Sequence, residues 1–160
     1  MYHHFPDGKQ QIAIEAVSRI RGDMLAMMRK LAIEQRSVAE IVRLLAKGMA
    51  AWLKQSRWRE GTMLATATVG SVPDLPAVHT VIKGAFDEWR NYLTMLLTRE
   101  RWTHSDARTM AQTIVAAIEG AMILARVDQD ERVVLNVAES LISLLEPKLT
   151  MRVAKTIARR

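Results

Sequence analysis

Apolar residues recur at helical spacing along almost the whole chain. The clearest stripe starts at Leu75 and continues through Trp89 to Leu96, with apolar side chains every three or four positions. Similar stripes lie on either side of it, and no segment alternates convincingly between apolar and polar residues as a half-buried strand does. This pattern predicts an all-α fold.

Helix starts can be placed from capping residues. Asp7 is a good N-cap for the first helix, which Gly22 and Asp23 are expected to kink or divide. Ser37 with Glu40 three residues on has the capping-box pattern and predicts the start of the second helix. Residues 62–68 are small and β-branched, typical of a strand or a short buried helix. We favour a helix because a lone strand would have no partner.

Further boundaries divide the second half of the chain. Residues 70–74 form a break, 102–106 a turn, and 128–131 another helix start with acidic residues suited to the positive helix end. Pro147 is predicted to end or kink the last helix. We expect a main domain over residues 7–146, with a basic helical tail over 147–160.

The last two helices carry apolar stripes too wide for one neighbouring layer. Gly120 lies in the middle of one, where glycine costs about 1 kcal/mol relative to alanine unless another helix approaches closely. These features favour a homodimer with a four-helix-bundle interface, and the alternative is a helix buried on all sides within one monomer. The predicted interface residues are Ile114, Ile118, Gly120, Ala121, Met122, Val134, Val137, Leu141 and Leu144.

The amino-acid composition indicates the cellular compartment and limits the possible partners. The chain has 160 residues, no cysteine and a formal net charge of +6. Without cysteine it has no disulfide framework, and a reducing compartment, the cytoplasm, is expected. We find no apolar run long enough for a bilayer and expect no membrane association. The positive charge is compatible with nucleic-acid binding without showing it.

Enzyme signatures are lacking in the sequence. It has no phosphate-cradling glycine loop and no paired carboxylates in an apolar context. His3 and His4 adjoin and would point apart in a helix, so no metal-ligand spacing is present. We therefore expect neither catalysis nor a metal or cofactor.

Two motifs in order resemble the TetR family of transcriptional regulators. The opening run Tyr2–Lys9 resembles the last turn of a DNA-recognition helix and the entry to the next helix. The pair Phe86-x-x-Trp89 and the Glu-Gly-Ala helix at 119–121 resemble the C-terminal domain of the branch that includes the lincomycin-resistance repressor. Gly61–Ala65 lacks the cysteine and proline that this branch often has there. The resemblance covers residues 2–145.

The resemblance implies a ligand-responsive dimeric regulator, and we expect a repressor that releases double-stranded operator DNA on binding a small apolar or aromatic effector. Residues 1–6 would be the remnant of a helix-turn-helix recognition helix, most of which would precede Met1. The alternative is a helical ligand-binding or heterodimerisation module that does not bind DNA. What precedes Met1 distinguishes the two. The sequence does not specify the effector, the operator or the regulated genes.

Candidate site residues follow from the resemblance. Tyr2, His3 and Lys9 match positions that touch DNA phosphates, and the alternative is a disordered terminus. Glu119 needs a partner if it is buried, and we expect Arg126, Arg108 or an arginine of a second chain at the dimer interface. The candidate ligand-pocket residues, each with ordinary core or surface as its alternative, are Trp52, Trp58, Met63, His79, Trp89, Tyr92 and Met95.

Overall fold

The fold was analysed in a computed structural model, which describes residues 8–34, 36–59 and 75–157, and their side chains except those of Lys9 and 147–157. All regular structure in these ranges is helical, so the all-α prediction is confirmed. Residues 62–68 lie outside the described ranges. The helices are α1 (Gly8–Ile33), α2 (Val38–Gln55), α3 (Pro76–Arg99), α4 (His104–Asp128) and α5 (Arg132–Ile157).

Side-chain caps start the helices where the sequence predicts. The Ser37 hydroxyl accepts a hydrogen bond from the Glu40 N–H at 3.2 Å, and the Glu40 carboxylate accepts one from the Ser37 N–H at 3.0 Å. This confirms the capping box. Thr103 caps α4 by accepting from the Asp106 N–H at 3.2 Å. These bonds satisfy N–H groups that the first turn of a helix leaves unpaired.

The Ser37→Ala substitution is expected to lower the free energy of unfolding by about 1 kcal/mol, because it removes the hydroxyl that accepts the Glu40 N–H. Urea unfolding followed by circular dichroism measures the change. Ser105→Ala is the matched control, since Ser105 is exposed within the first turn of α4, where Thr103 provides the cap. Equal losses in the two variants would contradict the capping role.

Two predicted interruptions are absent. The helix α1 runs unbroken through Gly22 and Asp23, and α5 continues past Pro147 to Ile157. A kink or an interruption was predicted at each position, and the interruptions, a division at Gly22 and an end at Pro147, are therefore wrong. A glycine only lowers helix propensity. A proline removes one backbone hydrogen bond, which a long helix can tolerate at the cost of local strain.

The helices pack in a spatial order that differs from their chain order. α2 packs mainly on α5, α4 packs on both α3 and α5, and α1 packs mainly on α3. Lys54 of α2 reaches Glu131 before α5 at 2.8 Å, and Arg43 reaches Glu139 of α5 at 3.4 Å. α2 makes few close approaches to α1, α3 or α4.

Helix α4 is long and apolar enough to cross a membrane by length and composition alone. This differs from the sequence-based expectation, which looked for an uninterrupted apolar run. Within its 25 residues, small and uncharged polar residues separate the apolar ones. Ala107, Ala111 and Ala125 of α4 are fully buried against the rest of the fold, and 28 % of its most apolar stretch is buried.

Candidate ligand cavity

A cavity lies where α1, α2, α3 and α4 meet, in the space that α2 does not close by direct helix packing. Its volume is about 490 Å³, counting the space open to solvent at its mouth. The lining residues are Met24, Met28, Val42, Leu45, Met49, Trp89, Leu93, Ile114, Val115, Ile118 and Glu119.

The lining is apolar except for one carboxyl group. Three methionines, Met24, Met28 and Met49, come from two different helices. Methionine is unbranched and polarisable, so it adapts to ligands of irregular shape. A wall of this kind binds apolar molecules by excluding water and selects weakly among their shapes.

Trp89 is a fixed part of the wall. Its side chain is 5 % exposed, and its indole Nε1–H donates to the Arg21 carbonyl oxygen at 3.4 Å. The ring of Phe86 meets it edge to face, with centroids 5.7 Å apart. Arg21 of α1 also forms a two-bond ion pair with Glu88 of α3, at 2.5 and 2.9 Å. These contacts tie α1 to α3 beside the cavity and hold the indole in place.

Glu119 is the charged residue of the lining. Its Oε2 atom is buried and accepts no hydrogen bond from any residue that the structure describes. Burial raises the pKa of the Glu119 carboxyl to about 7. The predicted partner Arg126 is engaged elsewhere, because its Nε donates to the Trp58 carbonyl oxygen at 3.2 Å. The prediction that Arg126 pairs with Glu119 is therefore wrong.

The structure brings one of the seven predicted pocket residues to the cavity, namely Trp89. Trp52 and Met95 are 39 % and 36 % exposed, and His79 is also exposed, so these three point away from the interior. Trp58 and Tyr92 are half-buried and pack against the core outside the cavity lining. Met63 lies outside the described residues. The predictions for Trp52, Trp58, His79, Tyr92 and Met95 are wrong for this cavity, because none of these side chains is part of its lining.

Sequence reasoning missed most of the cavity wall. Met24 and Met28 are four residues apart on α1, a spacing that by itself indicates only an apolar helix face. The signal that could have found the site is Glu119, a lone carboxylate in the apolar stretch of α4. That residue was noticed but placed at a dimer interface.

Most predicted interface residues face the monomer's own core. Ile114, Ala121, Met122, Val134 and Leu141 are at most 4 % exposed, so they cannot contact a second chain in this conformation. Those five assignments are wrong, because α4 is covered on two sides by α3 and α5. The wide apolar stripe of α4 is therefore explained by its packing against α3 and α5 of the same chain. Ile118 lines the cavity and is also turned inward.

A separate apolar surface remains exposed on the outer side of α4 and α5. Ile123, Leu124 and Val127 of α4 are 44 %, 55 % and 73 % exposed, and Leu144 of α5 is 55 % exposed. Gly120 lies on the same side, and a Cβ atom added there would meet no atom within 4 Å among the described residues. We call Gly120, Ile123, Leu124, Val127 and Leu144 the outer apolar face. The predicted interface residues Gly120 and Leu144 belong to it.

The candidate DNA contacts cannot be placed. Tyr2 and His3 lie outside the described residues, as does the side chain of Lys9.

Comparisons with known proteins agree with this architecture. Residues 38–140 match the family described as "Transcriptional regulator LmrA/YxaF-like, C-terminal domain" of TetR-type regulators. An uncharacterised HTH-type transcriptional regulator YxaF of Bacillus subtilis is 23 % identical over 148 residues, covering 92 % of this chain and 78 % of the relative. The HTH-type transcriptional regulator LmrA of the same organism is 25 % identical over 157 residues, covering 91 % and 78 %.

A solved structure shows the same fold. The crystal structure of a TetR transcriptional regulator from Legionella pneumophila superposes with a TM-score of 0.78 at 16 % identity, covering 89 % of this chain and 76 % of that one. Together with the family match, this identifies the helical domain as the C-terminal domain of a TetR-type transcriptional regulator. The chain belongs to the family with LmrA/YxaF-like C-terminal domains, as its sequence motifs predicted.

Proposed function

We propose that this protein is a ligand-responsive dimeric repressor that binds a small apolar effector in the cavity and releases operator DNA in response. The cavity carries the proposal, because it is apolar, opens to solvent and is bounded by four helices. We propose no catalytic role, metal or cofactor.

Helix α1 is the proposed route from the cavity to the DNA-binding part. It is the first described helix of the chain, and Met24 and Met28 place it in direct contact with any molecule in the cavity. Beside the cavity, α1 is tied to α3 by the ion pair between Arg21 and Glu88. An effector that fits one position of α1 better than another shifts the balance between the two positions, and the shift is limited by the difference in affinity.

The linkage between cavity and DNA has a direct test. Protein purified from its own cells is used to select duplexes from a random double-stranded DNA library. The affinity of the apolar probe N-phenyl-1-naphthylamine is then measured with and without the selected duplex. Because linkage is reciprocal, DNA should weaken probe binding by about fivefold or more. No enriched duplex would overturn DNA binding by this protein, and equal probe affinities would overturn the ligand response.

The proposed dimer forms through the outer apolar face rather than through the buried residues of α4 and α5. Gly120 leaves room there for the close approach of a partner helix. Four exposed large apolar side chains on two adjacent helices suit a symmetric interface.

The Leu124→Glu substitution is expected to convert a dimer into a monomer at micromolar concentration, raising the dissociation constant by about 100-fold or more. It would place an unpaired carboxylate in the interface. Light scattering coupled to size exclusion measures the mass. Met27→Glu is the matched control, since Met27 is 51 % exposed on α1, away from the outer apolar face. A monomeric wild-type protein, or dissociation in the control alone, would contradict the proposed interface.

A further inference from the structure

The Glu119 carboxyl is a hydrogen-bonding group that the folded chain leaves unused. Its Oε2 atom is buried at the cavity wall without a donor from the described residues. A buried polar group without a partner costs stability, and a buried charge costs more. Apolar packing would be served better by leucine or methionine at this position. The unpaired Oε2 atom is therefore suited to accept a hydrogen bond from a ligand that binds in the cavity.

Arginines on three of the helices that line the cavity pair with other groups. On α1, Arg21 pairs with Glu88 of α3. On α2, Arg43 faces Glu139 and Glu146 of α5 at 3.4 and 3.9 Å. On α4, Arg126 donates to the Trp58 carbonyl oxygen. Burial is the cause of the shift in the Glu119 pKa, without a contribution from a neighbouring charge.

The rest of the wall complements an apolar cation. Trp89 lines the same cavity, and tryptophan is the aromatic side chain that attracts cations most strongly. The methionine sulfurs of Met24, Met28 and Met49 add polarisable contacts. A protonated amine both neutralises the carboxylate and supplies the missing donor, and charge-assisted hydrogen bonds are stronger than neutral ones.

We propose that the effector is a hydrophobic amine, bound in its protonated form with an ammonium N–H donating to Oε2 of Glu119. This inference rests on the proposed function, namely that the cavity holds the effector. It adds the chemical class of the effector and the residue that selects it. Apolar surface provides the bulk of the contact, and Glu119 separates amines from neutral and anionic molecules of the same shape.

Three probes of similar shape and different charge test the proposal. They are 4-phenylbutylamine, 4-phenylbutan-1-ol and 4-phenylbutyrate, titrated by calorimetry at about pH 8, where Glu119 is ionised. The amine should bind wild-type protein about tenfold or more tightly than the alcohol, and the anion should bind most weakly. Glu119→Gln should remove the preference for the amine while retaining the affinity for the alcohol. Retained alcohol binding also shows that the variant is folded.

Asp128→Asn is the matched control, since Asp128 is an exposed carboxylate at the end of the same helix. It makes the same change in net charge and should keep the preference for the amine. Equal binding of amine and alcohol to wild type, or a preference that survives Glu119→Gln, would overturn the role of Glu119 and leave the cavity as an effector site. Failure of all three probes to bind wild-type protein would overturn the proposed function as well.

Discussion

Trp89→Ala is expected to lower the free energy of unfolding by about 3–5 kcal/mol, the largest effect of any single substitution considered for this protein. The side chain is 5 % exposed, packs edge to face on Phe86 and bonds the Arg21 carbonyl oxygen. Its removal leaves a hole beside an existing cavity, and the surrounding helices can close only part of it. Urea unfolding at one fixed protein concentration measures the loss, because association with a second chain would shift apparent stability.

Trp52→Ala is the matched control for this prediction. It deletes the same atoms from a tryptophan that is 39 % exposed on α2. A clearly smaller loss is expected there, since less apolar surface returns to water and no interior cavity forms. Equal losses in the two variants would show that Trp89 does not have the structural role assigned to it. A second consequence of Trp89→Ala is weaker probe binding, because the cavity loses one of its walls.

Glu119→Gln is expected to make the unliganded protein more stable than wild type at neutral and alkaline pH. Burial raises the pKa of this carboxyl from 4.5 to about 7, so the folded state binds the proton more tightly than the unfolded chain does. Stability from this group is complete below about pH 4.5 and is lost as the pH rises through 7. The loss is on the order of 3 kcal/mol at about pH 8. Glutamine does not titrate, so the Glu119→Gln variant does not lose this stability as the pH rises.

The measurement is the difference in unfolding free energy between variant and wild type across this pH range. The difference should grow from about pH 4.5 and level off above 7. Glu88→Gln is an opposite control, because the hydrogen bonds from Arg21 lower the pKa of Glu88. Its contribution is present above the unfolded pKa and is lost in acid, so that variant should be less stable at neutral pH. A pH-independent difference for Glu119→Gln would contradict the burial of its carboxyl.

The residue at position 119 affects stability and ligand selection in opposite directions. A stable core would favour an apolar residue at position 119, whereas selective binding favours a carboxyl group in an apolar wall. Sites that bind ligands often carry such local losses of stability. A hydrophobic amine in the cavity would recover part of the loss, so it should raise the unfolding temperature of wild-type protein more than that of Glu119→Gln.

The sequence by itself determined the helices, their starts and the family. Helical periodicity and capping are local properties that adjacent residues specify, so the Ser37 capping box and the stripe through Leu75–Leu96 predicted α2 and α3 correctly. The Glu-Gly-Ala helix and the Phe86-x-x-Trp89 pair indicated the TetR family, and the match over residues 38–140 confirms it. The expected breaks at Gly22 and Pro147 failed, because long helices tolerate unfavourable residues when packing stabilises their other turns.

Only the tertiary structure decided which neighbour each apolar face contacts. A stripe shows that one side of a helix is buried, but the same stripe fits a core, a cavity wall or a partner chain. Ile114 and Met122 were therefore placed at a dimer interface, although α3 and α5 bury them within the chain. Glu119 was likewise expected at a dimer interface, and the tertiary structure places it in the wall of the cavity. Its position depends on how α1, α2, α3 and α4 meet, and contacts between residues distant in sequence determine that arrangement.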